Sequence, residues 1–173
     1  MDGIDGLIAF LMIVILTTDA IINRRFLSLP LLVSLISFLF WNWDPSKLFM
    51  GDIGSTFLGV YLPYIIISSS SLCNGVAIFV ISSPLWLDAF TCLIRRFMNR
   101  DNIFKPHKKH LYQRLTQAGW PHGKVTLLYG FASIFLSIMY IIGGNLELFI
   151  GFIIIIFVGV FLEITKSRPF KVE

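Results

Sequence analysis

Six apolar runs decide the class of this chain before any single residue is considered. They cover residues 7–22, 26–41, 55–71, 74–94, 124–142 and 146–164. Each is within or just short of the roughly 17–25 residues that a helix needs to cross a bilayer. A backbone in hydrocarbon has to satisfy its own N–H and C=O groups, so every run is expected as a helix. Charged residues make up 14% of the chain, against roughly 25% in soluble domains, so too little polar surface exists to cover so much apolar chain. The expected fold class is all-α: a polytopic transmembrane bundle of about six helices with polar cytoplasmic loops, forming one membrane domain over residues 1–173. Re-entrant geometry is open for the second run, which is short and carries Pro30. Gly59, Gly75, Gly151 and Gly159 are the small residues expected to let helices approach closely.

Basic residues set the orientation. Lys47, Arg95, Arg96, Arg100, Lys105, Lys108, Lys109, Arg114, Lys124, Lys166, Arg168 and Lys171 fall on one side if the runs alternate, and only Arg24 and Arg25 on the other. Twelve against two is a strong positive-inside bias, which makes the first side cytoplasmic. The net charge of +4 is thereby explained by the membrane, and no nucleic-acid partner is called for. Cys73 and Cys92 show no CxxC spacing and read as small apolar packing residues.

Three polar stretches interrupt this pattern, all on the cytoplasmic side. Leu48-Phe49-Met50-Gly51-Asp52-Ile53-Gly54-Ser55 sets a carboxylate between two glycines beside an apolar run. It reads either as a turn or as a site where the backbone nears a ligand and Asp52 meets water, a cation or a substrate. At the N-terminus, Asp2 and Asp5 at i, i+3 share a helical face, and Gly3 and Gly6 permit tight turns. A helix cap and a hydrated Mg²⁺ site are both open there. The third stretch holds His107 and His110 at i, i+3 and Arg114 at i+7, one helical face, with Lys108 and Lys109 between them. Such a cluster suits a phosphate-bearing anion. Zinc is disfavoured, because no thiol or acid lies near in sequence. Asp88, inside the fourth run, is either functional or the partner of Arg95 or Arg96. His122, beside Pro121 and Gly123, reads as a loop or interface residue.

In this order, Asp2-Gly-Ile-Asp-Gly6, Phe49-Met-Gly-Asp-Ile-Gly-Ser55 and Pro106-His-x-x-His-Leu-Tyr-Gln-Arg114 resemble the motifs of the polyprenyl-phosphate N-acetylhexosamine-1-phosphate transferases, glycosyltransferase family 4. The match is nearest to the branch that initiates O-antigen synthesis. The resemblance implies transfer of an N-acetylhexosamine-1-phosphate from a UDP-sugar to undecaprenyl phosphate, with release of UMP, at the cytoplasmic face of a bacterial inner membrane. It also implies Mg²⁺, for which Mn²⁺ can substitute. By the family pattern Asp52 corresponds to a metal ligand, with Asp2 beside it, and Phe49 to the aromatic that stacks on uracil. Gly3, Ile4 and Asp5 correspond to a nucleoside-binding turn, and His107, His110 and Arg114 to a motif at the donor diphosphate and catalytic centre.

The pattern is also incomplete. Family members usually carry about ten or eleven membrane helices, and this chain matches the C-terminal part without the earlier helices or their adjacent Asp-Asp pair. Met1 accordingly resembles an internal methionine. The alternative expectation is a non-catalytic membrane fragment or subunit, partnered by a separately encoded N-terminal half or by a second copy.

Overall fold

The computed structural model describes residues 4–102 and 107–170. These residues form eight α-helices: α1 (Leu7–Asn23), α2 (Leu29–Asn42), α3 (Gly51–Ile67), α4 (Leu72–Ile81), α5 (Ser83–Met98), α6 (Leu111–Gln117), α7 (His122–Gly143) and α8 (Asn145–Thr165). No strand occurs among the described residues. Five of the six apolar runs return as α1, α2, α3, α7 and α8. α7 and α8 are each long and apolar enough to cross a membrane, and α4 with α5 forms a bent pair that passes the same test. α1, α2 and α3 are shorter, at 17, 14 and 17 residues.

The fourth run departs from expectation. Residues 74–94 were read as one span, but the chain bends by 65° between α4 and α5. Pro84 stands at the second position of α5. It has no N–H to give the carbonyl of Val80, and its ring crowds that turn, so a straight helix is excluded. The freed carbonyls find other donors. The Ser82 hydroxyl and the Trp86 indole N–H both donate to Phe79 O, at 2.8 and 2.9 Å. The Ser133 hydroxyl of α7 donates to Ile81 O at 2.9 Å.

α1 is the central strut, packing on α2, α3, α4 and α7. Its residues Ile8, Met12, Ile15 and Leu16 meet Leu35, Leu58, Ile65, Ile78, Ile81, Leu136 and Leu148 in the main core. In a bilayer, helices associate by close packing rather than by expulsion of water. Gly130 of α7 shows this: a Cβ built there would lie 1.9 Å from the Phe10 ring of α1. Of the glycines expected to serve this role, Gly75 and Gly151 lie against neighbours, whereas Gly59 and Gly159 have nothing within 4 Å. Large apolar side chains face outward instead, including Phe40, Ile67, Phe157 and Ile164, a surface suited to lipid.

Helix ends gather into two groups. At one end Asn23, Ser70, Asn74 and Tyr140 form a hydrogen-bonded network, and Arg25 donates separately to Ser68. At the other lie the starts of α1, α3 and α7, the α2–α3 loop, α6 and the end of α8, tied together by a second core of Ile4, Leu7, Leu11, Tyr112, Leu115, Val125 and Tyr129 and by the polar contacts described next.

Candidate functional site

Two polar clusters occupy this second end. In the first, Gly6 enters α1 with φ 73°, a left-handed conformation that strains any side chain. Its N–H donates to Asn42 Oδ1 at 3.0 Å, and Asn42 Nδ2 donates to Leu48 O at 2.8 Å. Asn42 thus clamps the start of α1 to the loop before α3. The Asp5 carboxylate accepts from the Ser46 hydroxyl at 2.8 Å, and its Oδ2 lies 3.2 Å from His122 Nδ1. Asp44 Oδ2 accepts from Gly123 N at 2.8 Å, and so caps α7 from a distant loop. His122 is therefore a partner of Asp5, a contact that its sequence neighbours gave no reason to expect.

The second cluster is built on Asp88. Its Oδ1 accepts from Leu111 N at 2.7 Å, and its Oδ2 from Tyr112 N at 3.2 Å and from the Tyr129 hydroxyl at 2.8 Å. A carboxylate from α5 thereby satisfies the first free N–H groups of α6. Asp88 takes neither Arg95 nor Arg96 as partner: Arg95 contacts Glu163, and Arg96 donates to Asn102 O. This cap also corrects the reading of the histidines. α6 starts only at Leu111, and His110 is extended at φ −62°, ψ 149°, so the three residues do not share one helical face. His107 and His110 precede the helix with ring centroids 5.1 Å apart, and His110 stacks on Tyr112 at 5.2 Å. Burial holds the His107 pKa below the ordinary histidine value, and the nearby Arg96, His110 and Lys109 act in the same direction.

Arg114 is buried, with 5% exposure. Its Nε donates to Arg168 O at 2.7 Å, its Nη2 to Ser167 Oγ at 2.9 Å, and its Nη1 to Glu163. In this arrangement the guanidinium fastens the end of α8 to α6. Glu163 also receives Arg95, and the Phe170 ring lies near Arg95, Lys109 and Arg114.

Asp52 stands exposed in the first turn of α3, where a carboxylate complements the helix dipole. Its side chain accepts no hydrogen bond from the described residues. Phe49 is 70% exposed on the preceding loop. Ile4 is packed into the second core, which leaves only its backbone for a ligand. Asp2 and Gly3 lie outside the described residues. The groups brought into contact are thus Asp5 with Ser46 and His122, and His110 with His107 and Asp88. Asp52 and Phe49 are exposed and join neither group by a hydrogen bond or ring contact among the described residues.

Comparison with known proteins finds relatives over most of the chain. The model of the family described as glycosyl transferase family 4 matches residues 1–70, a span that holds Asp5, Phe49 and Asp52 but neither histidine of the pair. A probable undecaprenyl-phosphate N-acetylglucosaminyl 1-phosphate transferase of Bacillus subtilis is 35% identical, over 98% of this chain and 53% of that protein. An undecaprenyl-phosphate alpha-N-acetylglucosaminyl 1-phosphate transferase of Haemophilus influenzae is 28% identical, over 86% of this chain and 46% of that protein. A phospho-N-acetylmuramoyl-pentapeptide-transferase of Kosmotoga olearia is 29% identical, over 82% and 45%. The chain spans about half the length of these relatives. No solved structure matches it. With its ordered motifs and helical membrane architecture, the chain belongs to glycosyl transferase family 4, the polyprenyl-phosphate hexosamine-1-phosphate transferases.

Proposed function

We propose that this chain contributes to the transfer of an N-acetylhexosamine-1-phosphate from a UDP-sugar to undecaprenyl phosphate, a first step in building a cell-envelope polysaccharide. A phosphate oxygen of the lipid attacks the β-phosphorus of the donor, the bond from that phosphorus to the UMP oxygen breaks, and UMP leaves. Such a reaction asks mainly for positioning and charge neutralisation. The observation that carries this reading is the gathering of motif residues far apart in sequence at one end of the bundle, next to lipid-facing helices. A membrane-held acceptor and a soluble donor meet at such an end.

Each residue has a task suited to its surroundings. The exposed Phe49 ring offers a face for uracil. The Asp5 carboxylate, set by Ser46 and His122, fixes the turn beside it. His107 and His110, oriented through the Asp88 cap, face the donor diphosphate, and Lys108 and Lys109 add positive charge. Asp52 fits a Mg²⁺ ion: its oxygens are exposed and uncommitted, and Mg²⁺ in phosphate sites takes one or two carboxylates, with water and substrate phosphate as the other ligands. When bound, the ion neutralises diphosphate charge, and Asp2 is the second candidate ligand. The excess of basic residues at this end supports a site on the cytoplasmic face of the inner membrane.

A second reading follows from the matched length, because the chain covers 53% of the Bacillus relative. In it the chain is one part of a catalytic unit that includes further helices, such as make up the remaining length of that relative. UMP release from UDP-N-acetylglucosamine, undecaprenyl phosphate and Mg²⁺ tests both readings, with the chain alone and with the chain produced beside the N-terminal half of that relative. Turnover is expected in at least one arm, and Asp52→Asn should reduce it by about a hundredfold or more. No turnover in either arm, or undiminished turnover by the variant, refutes the assignment.

A further inference from the structure

The three motifs leave out His122, the first residue of α7. We propose that His122 is a positioning residue for the nucleotide-sugar donor, acting through Asp5 on the turn and the loop that receive the nucleoside. The ligand, a uridine nucleotide, is taken from the transferase reading, on which this role rests. His107, His110 and Asp52 keep the places given them above.

Two residues of α7, one helical turn apart, hold Asp5 from one face. The Thr126 hydroxyl donates to Asp5 O at 2.7 Å, and His122 Nδ1 lies 3.2 Å from Asp5 Oδ2. Thr126 is fully buried, so it fixes the backbone of the turn and leaves the carboxylate to be oriented. Asp5 Oδ1 takes the Ser46 hydroxyl at 2.8 Å, and Asp5 thereby bridges α7 to the α2–α3 loop. That loop leads to the exposed Phe49 ring, and Asn42 ties it to Gly6, next to Asp5. The first turn of α7 is held in the same way, since Asp44 of this loop accepts from Gly123 N at 2.8 Å.

His122 Nδ1 is buried and makes no aligned hydrogen bond, although Asp5 Oδ2 stands within reach. The side chain as a whole is 40% exposed, so the buried edge of the ring faces Asp5 and its other edge meets solvent. Nδ1 can donate both in the neutral Nδ1–H tautomer and in the imidazolium. Hydrogen bonds in a free active site are often poorly aligned and tighten when substrate binds. Seating the nucleoside against Phe49 and the Asp5 turn brings this pair into line. The carboxylate, which only accepts hydrogen bonds, is then held with its remaining lone pairs toward N–H or O–H groups of the nucleoside.

UMP is the probe. The full chain in detergent, alone and beside the N-terminal half of the Bacillus relative, is titrated with UMP by calorimetry, and KM and kcat are measured where turnover occurs. His122→Phe keeps a ring and removes the donor, whereas His122→Asn keeps an N–H near the place of Nδ1. His122→Phe is expected to weaken UMP binding about tenfold or more, the effect of one hydrogen bond to a charged group. KM for the UDP-sugar should rise by a like factor with kcat within about twofold, the pattern of lost uniform binding. His122→Asn should restore affinity to within about threefold of wild type. In an Asp5→Ala chain, His122→Phe should add no further loss, because the two residues act as one. Unchanged UMP affinity in folded His122→Phe overturns the proposal, and so does an equal loss in His122→Asn or a loss that multiplies with Asp5→Ala. If His122→Phe does not fold, His122→Ala takes its place. Wild-type chain that binds no UMP in either preparation overturns this role and the transferase reading together. UMP binding that depends on His122, without turnover, supports the role and counts against the transfer reaction alone.

Discussion

Asp88 shows how one buried carboxylate organises a site that it does not belong to in sequence. It lies 23 residues before Leu111, whose N–H it accepts. By holding Leu111 and Tyr112 it sets where α6 begins, and hence leaves His107 and His110 outside the helix. Asp88→Ala orphans two backbone N–H groups and the Tyr129 hydroxyl, an expected cost of about 2–4 kcal/mol. Thermal unfolding in detergent measures that cost. Amide exchange in peptides covering Leu111 and Tyr112 should rise in the variant, and protection equal to wild type would refute the capping role. None of this was legible in the sequence. A carboxylate two turns before Arg95 left a functional role and an ion pair equally open, because sequence distance says nothing about which neighbours a bent helix brings near.

At the scale of elements, the bend between α4 and α5 aims α5, and with it Asp88 and Cys92, at the histidine segment. The apolar count over residues 74–94 could not reveal it. Hydropathy sees composition, whereas the bend arises from one missing N–H at Pro84 and from side chains able to take up the released carbonyls. Ser133 is the one supplied by a different helix. Ser133→Ala should cost about 1–2 kcal/mol, because Ile81 O is left buried without its donor. Ser34→Ala, which removes an exposed hydroxyl bonded within its own helix, should stay within about 0.5 kcal/mol. Equal thermal stability of the two variants would show that the Ser133 contact does not support the bend. Helix existence was far easier to read: α1, α2, α3, α7 and α8 all follow from runs whose length and apolarity admit little else.

The whole molecule is a two-ended object. One end carries the serine and asparagine network around Asn23 and Asn74, the other most of the carboxylates, the histidines and most of the basic residues. This polarity gives a prediction about orientation. In a Cys73→Ser background, Ser70→Cys should react with a membrane-impermeant thiol reagent on intact cells. Ser46→Cys should react only after the membrane is opened. Reaction of Ser46→Cys on intact cells would reverse the assigned orientation and remove the site from the side where nucleotide sugars are supplied. Glu163 acts at this scale as well. By taking both Arg95 and Arg114 it joins α5, α6 and the end of α8, so the last helix braces the segment that bears the histidines.

Taken by itself, the sequence determined the class and the family and set an expectation of sidedness, because each rests on quantities that are additive or local. Apolar length fixes helices in a bilayer, the count of lysines and arginines biases orientation, and short motifs keep their spacing whatever the chain does elsewhere. Only the tertiary structure decided the partners. Asp5 with His122, Asp88 with the start of α6, Glu163 with two arginines and Cys92 beside the histidine pair all join residues that are remote or differently faced along the chain. Such contacts depend on where the bend at Pro84 and the packing around α1 place each side chain. A carboxylate or thiol in a sequence carries its chemistry, but its neighbours are supplied by the fold.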